Sequence, residues 1–302
     1  MAADANQMKT FARLQFQSFA IKVPDQWKVP SGDPGAKHYA DAFKPGEKAT
    51  VPLTMPPALF LAHSTNKYHT DIQKTLNNIY TNFIDDMCDA ICSAWQQSQS
   101  LATMVGVMIN AVTASAGQVV WPPLTPMIML TAPKKTPAQL KYSTVIATVL
   151  GNAWQQYTMT IKVPGLPWYP AFAAFPAPIA VPAPNIPCPV ATLTQVTASV
   201  SKRMMKQQMC QMLADPKAQY HEQLFDSLCD AFEKCFQIWQ TSTQVMNVLG
   251  TGPIPTFAPP YVPVGPVVGG VGAMMPGGFV TMPMPMPPPP PPAPLPPPID
   301  IA

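Results

Sequence analysis

Cys88 and Cys92 stand four residues apart in a stretch of helical periodicity, FIDDMCDAICSAW, which also holds Asp85, Asp86 and Asp89. Two thiolates on one helical face could begin a tetrahedral zinc site, and three carboxylates could gather a divalent cation. Neither set is complete. No second cysteine pair follows at zinc-finger spacing, the remaining cysteines being Cys188, Cys210, Cys229 and Cys235, and the histidines His38, His63, His69 and His221 lie apart from them. Asp85 and Asp86 are adjacent and diverge around a helix, which fits a solvated face better than a cation site. Nucleophile elbows, phosphate-cradling loops and paired carboxylates do not occur. The expectations are no enzyme, no metal and no cofactor, with the cysteines as buried free thiols that behave as small hydrophobes.

The elements that would position these residues are amphipathic helices. Ile72, Leu76, Ile79, Phe83, Met87, Ile91 and Trp95 recur every three or four positions and predict a helix over 71–97. A second is predicted over 137–157, with Thr136 as N-cap and Pro137 in the first turn, and a third over 217–240, with Leu224, Phe225, Leu228, Phe232, Phe236 and Trp239 on its stripe. Shorter helices are predicted after Asp4 and within 194–214. Each long helix ends near a tryptophan in a related setting, ICSAWQQSQS, GNAWQQYTMT and CFQIWQTSTQ. Strand-like residues, a glycine and a proline-aromatic run follow each: GQVVWPPLTP, IKVPGLPWYPAFAAFP and GTGPIPTFAPPYVPVGP. The pattern reads as one unit used three times.

Charge is scarce and blocked. Charged residues make up 11% of the 302 residues, with none from 90 to 133, only Lys162 from 142 to 201 and none from 235 to 299. A hydrophobic fraction of 47% argues against disorder, and a net charge of +3 without a dense basic run argues against nucleic acid as a partner. The N-terminus lacks the charged and apolar regions of a secretory signal, so an intracellular place of synthesis is expected. The 41 prolines exclude strand interiors from the uncharged runs, which are expected to be extended arms. Such an arm bonds poorly to itself and must lay its side chains on something, and another subunit is the expected surface.

The expected fold class is therefore mainly α, with irregular Pro-rich extended arms and short β-strands in three helix-plus-arm repeats. The expected divisions are an N-terminal docking segment over 1–65, units over 66–133, 134–192 and 193–275, and a Pro-rich tail over 276–302.

With its tryptophan-ended helices and its VPGLPWYP and PIPTFAPPY arms, the chain over about residues 70–275 resembles bacteriophage virion structural proteins of the tail, baseplate, collar or capsid-decorating kind. No motif singles out one family. The resemblance implies a homo-oligomerising structural protein of a virus particle or phage-tail-like machine, assembled in the host cytoplasm, with copies of itself and other virion proteins as partners. Trp95, Trp154 and Trp239 are then expected as core anchors. Trp121, Trp168, Tyr169, Phe172, Phe257 and Tyr261 are expected between subunits, because aromatic residues are enriched in interface cores. Two other readings stand beside this one. Residues 101–121 are long enough to enter a membrane, although Thr103, Asn110, Thr113, Ser115 and Gln118 lower their hydropathy. The tail PPPPPPAPLPPP could dock on a polyproline-binding signalling domain and make the chain an adaptor.

Overall fold

The computed structural model describes residues 4–22, 59–61, 67–110, 113–167, 179–180, 182–215, 218–254 and 267–282. Helix α1 (Ala5–Ser18) starts at Asp4, whose carboxylate accepts the Asn6 backbone N–H at 3.0 Å. Helix α2 spans Lys67–Leu101, α3 Leu124–Thr131 and α4 Pro137–Thr160. Thr136 caps α4 by accepting from the Gln139 N–H at 3.1 Å. Helix α5 (Lys202–Leu213) and helix α6 (His221–Ser242) complete the layer. The three long helices thus match the periodicity. The short α3 does not, since prolines led the reading there toward an arm. It packs between α2 and α4, where a Cβ on Gly151 would stand 2.0 Å from the Thr125 hydroxyl oxygen; only glycine admits this approach.

Each long helix runs straight into a strand. Ala102 joins α2 to β3 (Thr103–Asn110), Ile161 joins α4 to β5 (Lys162–Pro167), and α6 passes directly into β7 (Thr243–Val245) and on to β8 (Val248–Thr251). These strands are paired by β4 (Thr113–Val120), β9 (Gly270–Met274) and β10 (Phe279–Thr281) in an antiparallel sheet of order β5-β4-β3-β9-β8 and a small sheet of order β10-β7-β6, where β6 is Cys188–Pro189. Two further short strands, β1 (Ile21–Lys22) and β2 (Phe60–Leu61), pair in parallel beside α1 and α2.

Residues on either side of 181 form a strap on the outer edge of β8. The Ala180 N–H donates to Gly252 O at 2.9 Å, Ala183 N to Gly250 O at 3.0 Å and Asn185 N to Val248 O at 3.1 Å. Its continuation returns to β5, where Lys162 and Thr194 exchange backbone bonds of 2.9 and 3.0 Å. The two edges of the sheet are joined at the helix end, and both carry prolines that cannot donate to a further strand.

The buried face of the sheet is formed by Met104, Val107 and Ile109 on β3, Ala114 and Val119 on β4, and Val163 and Leu166 on β5; strict alternation is broken where the register shifts between Met104 and Val107 and between Ala114 and Gln118. Its interior is narrow. A Cβ on Gly252 would lie 2.4 Å from the Gly270 Cα and 2.7 Å from Val267 Cγ1. Gly252→Ala therefore forces two backbones apart. It is expected to cost about 1–3 kcal/mol, seen as a lower midpoint in urea unfolding.

The fold class is corrected accordingly. The protein is a mixed α/β structure with one hydrophobic core drawing on every helix, and among the described residues neither extended arms nor three separable units occur. Pieces from each expected unit interleave in one sheet, because β3 takes β9 as its neighbour from far along the chain. Within the expected N-terminal docking segment, Met8, Ala12 and Phe16 of α1 are buried against α6 and α2, and residues 23–58 lie outside the described residues. The expected tail begins later than 276, since Phe279–Thr281 is a strand. Residues 101–121 hold the end of α2 and the β3–β4 hairpin, and no helix among the described residues is long and apolar enough to cross a membrane.

Candidate assembly surface

Charge divides the molecule into two halves. The last eight residues of α2, α4 and α6 are uncharged, and the strands of the two antiparallel sheets and the strap carry Lys162 as their single charge. Because β3, β5 and β7 continue α2, α4 and α6, the uncharged ends of all three helices meet the uncharged sheet.

A tryptophan cluster sits at that junction. Trp95, Trp154 and Trp239 are each at most 1% exposed, with ring centroids 4.8 Å apart for Trp95–Trp154, 5.3 Å for Trp154–Trp239 and 5.7 Å for Trp95–Trp239. The Trp239 indole N–H donates to Gln99 Oε1 at 2.9 Å, and the Gln99 amide donates onward to Phe279 O at 2.9 Å. The indole N–H groups of Trp95, Trp121 and Trp154 are buried without a hydrogen-bond partner among the described residues. Trp121, expected between subunits, packs into this same cluster against Trp154 at 5.1 Å and Phe279 at 5.0 Å. It is a half-buried member of the core, placed there by the turn after β4.

Trp168, Tyr169, Phe172, Phe257 and Tyr261 lie outside the described residues. The chain positions flanking them share one location. Pro167 pairs with Thr113, Thr113 with Asn110, Ile109 with Gly270, and Ile179 with Pro253, all at the end of the sheet remote from the helices.

The outer face of the sheet was missed in sequence. Val105 and Met108 on β3, Val120 on β4, Leu249 on β8 and Val271 on β9 are 41–66% exposed and share it, with Met108 directly opposite Val271. A signal existed: in TMVGVMIN the outward positions include the apolar Val105 and Met108, where a solvated sheet would alternate apolar with polar.

The groups with potential chemistry are structural. Asp85 accepts both guanidinium contacts of Arg13, and Asp89 pairs with Lys9 at 2.7 Å, so these carboxylates fasten α1 to α2 from a face on which Asp86 and Asp89 are exposed. No group of histidine, cysteine or acidic residues among the described ones could hold a metal ion. Cys88, Cys92, Cys188, Cys229 and Cys235 are buried; desolvation raises every one of these thiols and takes Cys235 to about 12, so none is a thiolate at neutral pH.

A charged network joins α1, α5 and α6. Lys202 lies 2.7 Å from Asp226 and 3.3 Å from Asp230, Lys206 3.2 Å from Asp226, and the Gln15 amide donates to Asp226 at 2.9 Å. Burial pushes the Asp226 carboxyl upward, but the bonds from Lys202, Gln15 and Lys206 outweigh it and hold the group below its ordinary value of 3.8. A depressed native value means stability that is present above the unfolded value and lost as pH falls through the folded one. Thermal unfolding followed from neutral pH downward is expected to show a decline beginning near pH 4 that is shallower in Asp226→Asn; equal slopes would contradict the network's role.

No family model, curated protein or solved structure matches this chain.

Proposed function

We propose that this chain is a structural assembly protein that packs copies of itself together through its uncharged sheet half, within a virus particle or phage-tail-like machine. The observation that carries this reading is the outer sheet face, where Val105, Met108, Val120, Leu249 and Val271 are exposed together. Five exposed apolar side chains gathered on one face, whose single charge is Lys162 on the β5 edge, suit contact with another surface. Pairing of free sheet edges is an unfavourable route, since the strap and the edge prolines block it. Face packing is the route left open.

Magnitude adds a requirement. Four inter-strand steps of ~4.8 Å by about five residues of ~3.4 Å give a footprint of roughly 300 Å². A stable interface takes about 800 Å² from each partner. The face needs further contacts to hold a copy, and the proline-aromatic segments that leave the remote end of the sheet are uncharged and of suitable composition to supply them. The particle setting rests on the resemblance of those segments to virion components. Sedimentation velocity over a dilution series tests the reading: reversible self-association is expected. A monomer persisting to near-millimolar concentration would sink it, and flotation with liposomes in place of self-association would favour the membrane alternative.

A further inference from the structure

Between the N-terminal halves of α2 and α4 lies a groove of about 170 Å³ walled by Ile79, Tyr80, Phe83, Gln139 and Tyr142, with Leu224 of α6 beneath. Phe83 and Tyr142 meet edge to face at 6.3 Å, and the groove's walls carry no charged side chain. It stands on the charged half of the molecule, away from the sheet face, and its chemistry is that of an aromatic cleft.

We propose that this groove holds the polyproline run 287–298 of the same chain. Proline-rich sequence favours the polyproline II helix, which docks on aromatic-lined grooves. Of the run's backbone groups only Ala293 and Leu295 can donate, while every residue offers a carbonyl acceptor, so its groove must chiefly donate. The Tyr142 hydroxyl is one donor. The Gln139 side chain accepts the Lys135 N–H through its oxygen at 3.0 Å, which leaves its NH₂ group to be the other.

The geometry of the chain fits this occupant. Met282, the last described residue, is fixed by its N–H to Ser242 O at 2.9 Å, at the C-terminal end of α6. Leu224 lies about 27 Å back along that helix at 1.5 Å per residue. In polyproline II at ~3.1 Å per residue, the run 287–298 spans from about 16 to about 50 Å beyond Met282, which brackets the groove. Tethering supplies an effective concentration in the millimolar range, so a shallow cleft of this size suffices.

The test uses the full chain carrying the photo-crosslinker p-benzoylphenylalanine in place of Ile79, a 54% exposed position on the rim, or in place of Leu140, 45% exposed nearby. Isotopically light and heavy chains are mixed before irradiation, and the crosslinked peptides are read by mass spectrometry. The expected result is crosslinks from both positions to residues 283–302, in light–light and heavy–heavy pairs only, lost when Pro287–Pro292 are replaced by glycine and serine. A probe in place of Leu130, 69% exposed on α3, is expected to give none. Mixed pairs, crosslinks to any other segment, or tail crosslinks that survive the proline replacement would overturn the proposal. So would an absence of tail crosslinks in a chain whose tail binds an added SH3 domain, which is the adaptor outcome.

Discussion

Trp154→Ala is expected to lower the free energy of unfolding by about 3–5 kcal/mol, the range for truncating a buried large aromatic. For a marginally stable fold of about 5–15 kcal/mol that is about a fifth of the total or more. The ring is 1% exposed and touches Trp95, Trp121, Tyr157, Phe236 and Trp239, so no neighbour can collapse into the space without abandoning another contact. Urea unfolding followed by circular dichroism measures the loss, and a cost below about 1 kcal/mol would contradict a core role. Substitution by phenylalanine separates packing from hydrogen bonding. Trp154→Phe removes an indole N–H that has no partner among the described residues, whereas Trp239→Phe strips Gln99 Oε1 of its donor. Trp239→Phe is expected to cost about 1–2 kcal/mol more than Trp154→Phe for that reason.

The double substitution Met108→Asp with Val271→Asp is expected to abolish self-association while leaving the monomer folded. The two residues are direct partners across β3 and β9 and are 50% and 66% exposed, so carboxylates there remain solvated in the monomer and perturb its stability little. In a packed face they become buried charges without partners. A penalty of about 3 kcal/mol or more weakens association at least ~100-fold. Leu130→Asp, an equally exposed change on α3, serves as the control and should leave association intact. Equal association of the double variant and the wild type would remove the sheet face from the interface.

Helices were legible in the sequence because their cause is local. The stripe from Ile72 to Trp95 and the Thr136–Pro137 start each act within a few turns. The sheet was hidden because its causes are distant and its pattern is masked. β9 reads GVGAM, too glycine-rich to announce a strand, and becomes one only beside β3 and β8. β3 has apolar side chains on both faces, so its period-2 alternation disappears. The related tryptophan settings are real in sequence, yet they reflect three helices ending at one shared cluster and not three copies of a unit. The contact of Trp121 with Trp154 was hidden on the same grounds, since its proline-flanked position gave no sign that the chain turns inward there. The expected interface aromatics beyond Trp121 lie outside the described residues.

The place of β9 between β3 and β8 carries a consequence for the newborn chain. Met108 emerges from the ribosome long before Val271, and until the later strand arrives the face they share is incomplete. Domains begin to fold as they are made, so α2 and the β3–β4 hairpin wait half-finished while some 150 further residues are translated. If the chain assembles as proposed, a truncated or stalled product lacks the β8 and β9 part of the surface, Leu249 and Val271, that would draw it into an assembly.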